Sequence, residues 1–256
     1  MGKLDGKVAV VTGAGSGIGL ATVTLFAREG ARLMLAGRND AALKSATQEL
    51  GPGRAAYLVT DVSRPEDNRR LFESAVQQFG GIDVFVANAG VEGANALIVD
   101  YPVGIFDEVM AVNVRGVFLG LKYAIAAMRS RGSGSIIITS SIGGIKARGQ
   151  GNSAYIASKH AEIGLMRNAS VECAPDNIRV NCVLPGPTET RMMRSIEEGR
   201  SPGAPENARA LIAAGVPLKR YGTAEEIAKV MLFLACDDSA ICTGGLYSAD
   251  GGLCAI

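Results

Sequence analysis

Short apolar runs alternate with helix-length segments along almost the whole chain. The runs are rich in Val, Ile and Leu on both faces, which is typical of strands in a parallel sheet that is covered on both sides. Strands are predicted at residues 7–12, 32–36, 55–60, 82–87, 135–139, 178–184 and 245–249. Helices are predicted at residues 17–28, 40–50, 65–79, 105–128, 153–172 and 225–236, with Asp40 as the N-cap of the second helix.

The regular alternation predicts an α/β fold, namely a doubly wound parallel sheet of seven strands with helices on both faces. No linker, repeat or low-complexity stretch divides the pattern, so residues 1–256 are expected to form a single domain. The exception is the segment 187–217, which is polar and is interrupted by Pro202, Gly203 and Pro205. This segment is too polar for the core, and it is either a helical lid over a site or a surface insertion.

The composition excludes several classes of protein. A hydrophobic fraction of 48% with 20% charged residues excludes a disordered chain. The net charge of +1 provides no field that would attract nucleic acid or an anionic membrane, so neither partner is expected. Five cysteines without a CxxC pair and a single histidine, His160, predict reduced thiols and no metal site. No secretion signal and no bilayer-length apolar run are found, so a cytoplasmic protein is expected.

A glycine-rich turn follows the first predicted strand and leads into the first helix. It reads Thr-Gly-Ala-Gly-Ser-Gly-Ile-Gly over residues 12–19, and its candidate binding residues are Gly13, Ser16, Gly17, Ile18 and Gly19. Glycines allow the backbone to approach a phosphate closely, and the helix N-terminus supplies free N–H groups. No Gly-Lys-Ser/Thr follows, so a nucleoside triphosphate is not expected, whereas a dinucleotide or an ordinary tight turn fits the pattern.

Tyr155 and Lys159 lie four residues apart on a predicted helix, so both side chains are expected on one face. A lysine ammonium beside a tyrosine favours the phenolate, which lets the phenol exchange a proton with a hydroxyl or carbonyl oxygen. Exposed Tyr–Lys pairs without a function are common on helices, so the pair needs supporting residues. Ser141 follows the fifth strand, at the end of a parallel sheet where ligands bind, and Ser140 is the rival candidate.

These motifs together resemble the short-chain dehydrogenase/reductase family, in its branch of roughly 250 residues. The resemblance begins at the Thr-Gly-x-x-x-Gly-x-Gly turn and covers residues 6–252. The further motifs, in the order of the family, are Asp61-Val62, Asn88-Ala89-Gly90, Asn113, Ser140-Ser141, Tyr155-x-x-x-Lys159 and Pro185-Gly186 followed by Thr188 and Thr190. The resemblance implies a Rossmann-like fold, a nicotinamide cofactor and hydride transfer between a ketone and a secondary alcohol.

The resemblance also implies a role for each motif. The catalytic tetrad would be Asn113, Ser141, Tyr155 and Lys159. Tyr155 would exchange the proton, while Ser141 rather than Ser140 would hold the substrate oxygen. Lys159 would tune Tyr155 and bind the ribose, and Asn113 would link Lys159 to solvent through a water. The cofactor contacts would be the glycine turn, Tyr155, Lys159, Arg38, Asp61, Val62, Asn88, Ala89, Gly90, Pro185, Gly186, Thr188 and Thr190.

The residues at the end of the second strand indicate whether the cofactor is NAD or NADP. An NAD-binding turn normally has a carboxylate there, which binds the ribose diol. Here Gly37 stands at that position and Arg38 follows. An arginine binds a 2′-phosphate with its planar fork and stacks on adenine, so the pair favours NADP. Asp40 nearby, and Ser16 where many NADP-preferring relatives have a basic residue, leave NAD as the alternative.

The substrate is not determined by these motifs. Candidate pocket residues are Ile142, Gly143, Glu92, Asn95, Asn152 and the lid at 189–216. The Ser-Pro-Gly-Ala-Pro stretch of the lid resembles bacterial relatives that act on small alicyclic ketones and alcohols. The alternatives are a reductase of 3-oxoacyl thioesters on an acyl carrier protein, a sugar or polyol dehydrogenase, and a non-catalytic NAD(P)-binding sensor. The resemblance further implies a homotetramer formed through the two long helices and the last strand.

Overall fold

Strands rich in Val, Ile and Leu lie side by side in one parallel sheet, as their burial on both faces requires. The structure is a computed structural model, and it describes residues 2–147 and 150–256. Within these residues, the sheet has seven strands in the order β3-β2-β1-β4-β5-β6-β7. The strands are β1 (Val8–Thr12), β2 (Arg32–Gly37), β3 (Ala55–Val59), β4 (Val84–Ala87), β5 (Gly134–Thr139), β6 (Ile178–Pro185) and β7 (Leu246–Ala249).

Helices cover both faces of the sheet. They are α1 (Gly17–Arg28), α2 (Asp40–Leu50), α3 (Pro65–Phe79), α4 (Val103–Val109), α5 (Gly116–Arg129), α6 (Ser153–Cys173), α7 (Arg191–Arg200), α8 (Pro205–Gly215) and α9 (Ala224–Ala235). On one face, α1, α2 and α9 pack through residues such as Phe26 and Met231, which are fully buried. On the other face, α3, α5 and α6 pack through residues such as Leu71 and Met166. The predicted doubly wound α/β fold of a single domain is therefore confirmed.

Two predicted boundaries differ from the structure in an informative way. Asp40 was predicted as the N-cap of α2 but is the first residue of the helix. The cap is Asn39, whose side-chain oxygen accepts a hydrogen bond from the Ala42 N–H at 3.0 Å. The fourth strand begins at Val84 rather than at residue 82. Asp83 precedes the strand, and its carboxylate accepts a hydrogen bond from the backbone N–H of Val8 at 2.8 Å.

The long helix predicted over residues 105–128 is not uniform. A π-helical segment, Met110–Arg115, separates α4 from α5 and contains Asn113. Such segments insert extra backbone into a helix and are frequent at functional sites. The stretch Val103–Arg129 is long and apolar enough to span a membrane, whereas the sequence predicted no apolar run of that length. Its apolar residues, however, include Leu121 and Met128, which are buried against the sheet as in the core helix of an α/β domain.

The polar segment 187–217 contains α7 and α8, which pack against each other. The expectation that the segment contributes nothing to the core is wrong, because Glu197, Ala208 and Val216 are buried. A buried carboxylate needs a charged partner. Arg194, one turn earlier on α7, provides it by donating a hydrogen bond to Oε2 of Glu197 at 2.7 Å.

Candidate active site

The predicted site residues gather at the carboxyl ends of the strands. β1 and β4 are neighbours in the sheet although they are not consecutive in the chain, and ligands bind at such a switch point. A cavity of about 1300 Å³ opens there. Its lining includes Gly13, Ser16, Gly17, Ile18, Arg38, Asp61, Val62, Asn88, Ala89, Gly90, Ser141, Tyr155, Lys159, Pro185, Gly186, Thr188 and Thr190. Gly19 and Asn113, by contrast, are buried behind this lining.

Close packing explains the glycines of the turn after β1. Gly13 has a φ of +67°, and a β-carbon there would lie 2.9 Å from the side-chain nitrogen of Asn88. A β-carbon on Gly19 would overlap the carbonyl oxygen of Gly13. Gly19 therefore lets α1 approach β1 rather than lining the cavity. The N-terminus of α1 faces the cavity through Gly17 and Ile18, an arrangement that suits a pyrophosphate.

Thr12 and Asn88 hold the ends of β1 and β4 together. The Thr12 hydroxyl accepts hydrogen bonds from the backbone N–H groups of Asn88 at 3.0 Å and Ala89 at 3.1 Å. The side-chain amide of Asn88 donates to the carbonyl oxygen of Thr12 at 3.1 Å. Asn88 thus shapes the cavity as well as lining it. Thr12 was not among the predicted site residues, and its only signal was a polar side chain at the end of an apolar strand.

Ser141 and Tyr155 meet across Gly143. Ser141 caps a short 3₁₀ turn after β5, and its hydroxyl accepts a hydrogen bond from the Gly143 N–H at 3.0 Å. A β-carbon on Gly143 would lie 3.4 Å from the Ser141 hydroxyl oxygen and 3.5 Å from the ring of Tyr155. The rival Ser140 is buried, and its hydroxyl donates to the carbonyl oxygen of Lys159 at 3.1 Å. Ser141, unlike Ser140, therefore has its hydroxyl beside the tyrosine.

Asn113 connects the loop after β4 to α6. Its side-chain oxygen accepts a hydrogen bond from the backbone N–H of Val91 at 2.9 Å, and its amide donates to the Val91 carbonyl oxygen at 3.0 Å. The same amide donates to the Ser158 hydroxyl at 3.0 Å. A β-carbon on Gly90 would lie 3.3 Å from Oδ1 of Asn113 and 3.7 Å from Nζ of Lys159. Asn113 and Lys159 therefore both lie close to the same glycine.

The ammonium group of Lys159 is held inside the protein. It donates to the carbonyl oxygen of Thr139 at 3.0 Å and to the Glu162 carboxylate at 2.8 and 3.1 Å. Burial lowers the pKa of Lys159, but attraction to Glu162 and Tyr155, together with the hydrogen bond to Glu162, outweighs this and raises the pKa overall. Burial raises the pKa of Glu162 to about 7, although Lys159 acts in the opposite direction. Glu162 was not predicted, and its signal was a carboxylate three residues after Lys159 on one helix.

One end of the cavity lies beside β2 and β3, next to Gly37 and Arg38. Gly37 is not required by packing, because a β-carbon there would lie 3.7 Å from the Leu43 side chain. The carboxylate of Asp61 is fixed at the rim of this end. Its Oδ1 accepts hydrogen bonds from the backbone N–H and the hydroxyl of Ser63, at 3.0 and 2.7 Å. This end of the cavity therefore combines the planar guanidinium of Arg38 with the oriented carboxylate of Asp61.

The other end of the cavity lies beyond β6. The Thr188 hydroxyl donates to the carbonyl oxygen of Gly186 at 2.9 Å, and Thr188 forms a β-bridge with Gly222. The Thr190 hydroxyl accepts a hydrogen bond from the Met193 N–H at 3.3 Å and so caps α7. The hydroxyl that the resemblance assigns to a cofactor contact thus also sets where α7 begins.

The outer part of the cavity is lined by α7 and α8. These helices contribute the apolar side chains Met192, Met193, Ile196, Leu211 and Ile212, and α7 also contributes the polar Arg191, Ser195 and Arg200. The predicted pocket residues Ile142, Gly143, Glu92, Asn95 and Asn152 also line the cavity. The Asn95 amide donates to the carbonyl oxygen of Gly199 at 3.1 Å, which ties the end of α7 to the opposite wall.

Comparisons with known proteins agree with this geometry. Residues 13–254 match the family model described as enoyl-(acyl carrier protein) reductase. The chain is 39% identical to a levodione reductase from Leifsonia aquatica, over 98% of this chain and 95% of that protein. It is 39% identical to a 3-oxoacyl-(acyl-carrier-protein) reductase from Thermotoga maritima, over 98% of this chain and 99% of that protein. The crystal structure of a levodione reductase matches with a TM-score of 0.95 at 37% identity, covering 98% of this chain and 99% of that chain.

The sheet order, the cavity at the strand ends and these similarities lead to one conclusion. Proteins of this kind bind NAD(P), and the glycine turn with the cavity beside it fits such a group. The protein is an oxidoreductase that acts on CH–OH or ketone groups of small molecules. The chain belongs to the short-chain dehydrogenase/reductase family.

Proposed function

We propose that the protein transfers a hydride between NADP(H) and a ketone or secondary alcohol, with small alicyclic compounds as its substrate class. The observation that carries this proposal is the placement of Ser141 and Tyr155 next to the same residue, Gly143, at the cavity wall. One substrate oxygen would reach both hydroxyl groups there. Nζ of Lys159 lies 5.5 Å from the centre of the Tyr155 ring, where its charge favours the phenolate.

The four polar residues would divide the chemistry between them. Tyr155 donates its proton to the ketone oxygen during reduction and accepts a proton from the alcohol during oxidation. Ser141 donates a hydrogen bond that holds the substrate oxygen. Lys159 favours the phenolate and binds the ribose, while Asn113 supports the path by which Lys159 exchanges protons with solvent. The nicotinamide, when bound, supplies or accepts the hydride at C4.

We propose the remaining cofactor contacts from the residues that line the same cavity. The N–H groups of Ser16, Gly17 and Ile18 at the start of α1 would hold the pyrophosphate, and Gly13 gives it room. The other contacts divide into an adenine group (Asp61, Val62), a ribose group (Asn88, Ala89, Gly90) and a carboxamide group (Pro185, Gly186, Thr188, Thr190). Gly37 presents no carboxylate, and Arg38 supplies a fork for a 2′-phosphate, so we propose a preference for NADP over NAD.

The apolar side chains of α7 and α8 support alicyclic substrates over sugars. Next to Met193 and Ile196 the hydroxyl groups of a sugar would find no hydrogen-bond partner. A 3-oxoacyl thioester is the second candidate, because Arg200 lines the cavity and suits a carrier phosphate. Lys146 also lines the cavity, but its ammonium group donates to the carbonyl oxygens of Leu253 and Ile256. Arg129 and Arg131 do not serve this role, since they form ion pairs with Asp176 and Asp83.

We also propose a cytoplasmic homotetramer. The two long helices expose large apolar side chains, among them Phe118 on α5 and Val171 on α6. Exposed apolar groups on neighbouring helices are typical of surfaces that bury each other in a symmetric assembly. Light scattering tests this point, and a monomer would contradict it.

The proposed function is tested by initial rates of NADPH and NADH oxidation with a cyclic ketone, a diketone, a 3-oxoacyl thioester and a ketose. We expect turnover with the cyclic ketones and a higher kcat/KM with NADPH. Turnover with the thioester alone would transfer the assignment to the acyl-carrier class. Binding of NADPH without any turnover, unaffected by Tyr155→Phe, would favour a sensor.

A further inference from the structure

A buried carboxylate lies directly behind the proposed catalytic residues. Glu162 and Lys159 are three residues apart on α6, and both are buried. Nζ of Lys159 contacts the two carboxylate oxygens at 2.8 and 3.1 Å and the Thr139 carbonyl oxygen at 3.0 Å. Because the two carboxylate oxygens can share one N–H, these contacts use two of the three N–H donors of the ammonium group and leave one for the ribose. Lys159 is therefore held by partners on the interior side of the cavity wall.

The groups around Glu162 make Lys159 its dominant partner. The titratable groups that act on this pair in the described structure are Tyr155 on α6 and Cys182 on β6, and Arg167 on α6 acts on Cys182. Burial raises the pKa of the Cys182 thiol, so it stays neutral. The neutral Ser140 hydroxyl also faces the carboxylate. The charge of Glu162 thus acts chiefly on Lys159 and, through it, on Tyr155.

The charge of a buried lysine depends strongly on what lies beside it. Charges interact more strongly in the protein interior than in water, so a carboxylate at 2.8 Å offsets much of the ammonium charge felt by a third group. Tyr155, whose ring centre lies 5.5 Å from Nζ, then experiences a weaker positive field than Lys159 alone would produce. A weaker positive field favours the neutral phenol over the phenolate.

We propose that Glu162 is a positioning residue, which holds Lys159 and offsets its positive charge at Tyr155 so that the protonated phenol needed for ketone reduction persists above neutral pH. This inference rests on the roles of Tyr155 and Lys159 proposed above. Glu162 would not change the equilibrium of the reaction. It would shift the pH ranges in which ketone reduction and alcohol oxidation are fast. Because the phenol stays protonated to higher pH, Glu162 favours use of the enzyme as a reductase.

The decisive variant is Glu162→Gln, which keeps the size of the side chain and removes its charge. We expect the acid limb of alcohol oxidation and the alkaline limb of ketone reduction both to move to lower pH by about one unit. The matched control is Glu172→Gln, an exposed residue on the same helix that bonds to Asn168. Its profiles should coincide with those of the wild type.

A second readout needs neither cofactor nor substrate. The ultraviolet absorbance of tyrosinate is titrated in the free protein, and the contribution of Tyr155 is isolated by subtracting the matching Tyr155→Phe protein. We expect Tyr155 to ionise at lower pH in Glu162→Gln than in the wild type. Glu162→Asp, which withdraws the charge by one methylene, should shift in the same direction by less.

The outcomes separate this inference from the proposed function. Loss of turnover in Tyr155→Phe with unshifted profiles in Glu162→Gln would overturn the role of Glu162 and leave the mechanism intact. Full activity in Tyr155→Phe would overturn the mechanism itself. Failure of both the Gln and the Asp variants to fold would also overturn the inference, because Glu162 would then be a structural residue.

Discussion

Gly37 faces the side chain of Leu43, and a β-carbon at position 37 would lie 3.7 Å from Cδ2 of that leucine, an ordinary van der Waals contact. Position 37 therefore accepts a larger residue without displacing α2. We expect Gly37→Asp to fold normally and to shift the NADP/NAD ratio of kcat/KM toward NAD by about tenfold or more, or ~1.4 kcal/mol. The reason is repulsion between the new carboxylate and a 2′-phosphate.

Gly37→Ala serves as the control for this change, because it adds the β-carbon without a charge. Its ratio of kcat/KM for the two cofactors should remain that of the wild type. An unchanged ratio in Gly37→Asp would show that cofactor preference is decided elsewhere in the site.

Replacing Tyr155 tests the proton transfer. Tyr155→Phe removes the hydroxyl and keeps the ring, so we expect kcat to fall by about 10³-fold or more while cofactor affinity changes little. Stopped-flow or steady-state rates measure kcat, and the fluorescence of bound NADPH measures cofactor affinity. Substantial residual turnover would contradict the assigned role.

Replacing Asn113 tests a structural connection. Asn113→Ala removes three hydrogen bonds and leaves the N–H and carbonyl groups of Val91 without this partner. We expect a loss of about 3 kcal/mol in the free energy of unfolding, together with lower kcat. Ser158→Ala removes one of these bonds and also the bond from the Ser158 hydroxyl to the Tyr155 carbonyl oxygen, so it should cost about 2 kcal/mol. Equal losses in urea denaturation would argue against the role of the Val91 contacts.

The buried carboxylate also makes stability depend on pH. Glu162 has a pKa near 4.5 when exposed in the unfolded chain and about 7 in the folded protein. Between these values the folded state binds more protons, so this group lowers wild-type stability as the pH rises. Glu162→Gln lacks the group, so its free energy of unfolding relative to wild type should increase between about pH 4.5 and pH 7. A constant difference across this range would contradict the shifted pKa.

Much of the fold follows from local sequence signals. The alternation of apolar runs with helical segments predicted the sheet, and the helix Pro65–Phe79 was placed correctly because proline is favoured in the first turn. At α2, two adjacent residues are both good caps, so Asn39 and Asp40 could not be told apart by residue type. The glycine turn and the Tyr155–Lys159 spacing directed attention to the cavity now seen at the strand ends.

The remaining features depend on contacts between distant parts of the chain. The bonds from Thr12 to the residues after β4 join positions that only the sheet order brings together. The burial of Glu197 depends on how α7 packs, which a polar sequence did not predict. Glu162 stood beside Lys159 in the sequence, yet only the orientation of both side chains toward the interior shows that they pair.

The π-helical segment Met110–Arg115 makes the position of Asn113 depend on the number of residues in the long helix. Each residue of an α-helix turns the chain by about 100° around the axis. Deleting one residue from this segment would convert it to a regular helix and rotate Asn113 away from either Val91 or Ser158, even if every side chain were retained. Related chains that use this arrangement should therefore keep the length of this helix.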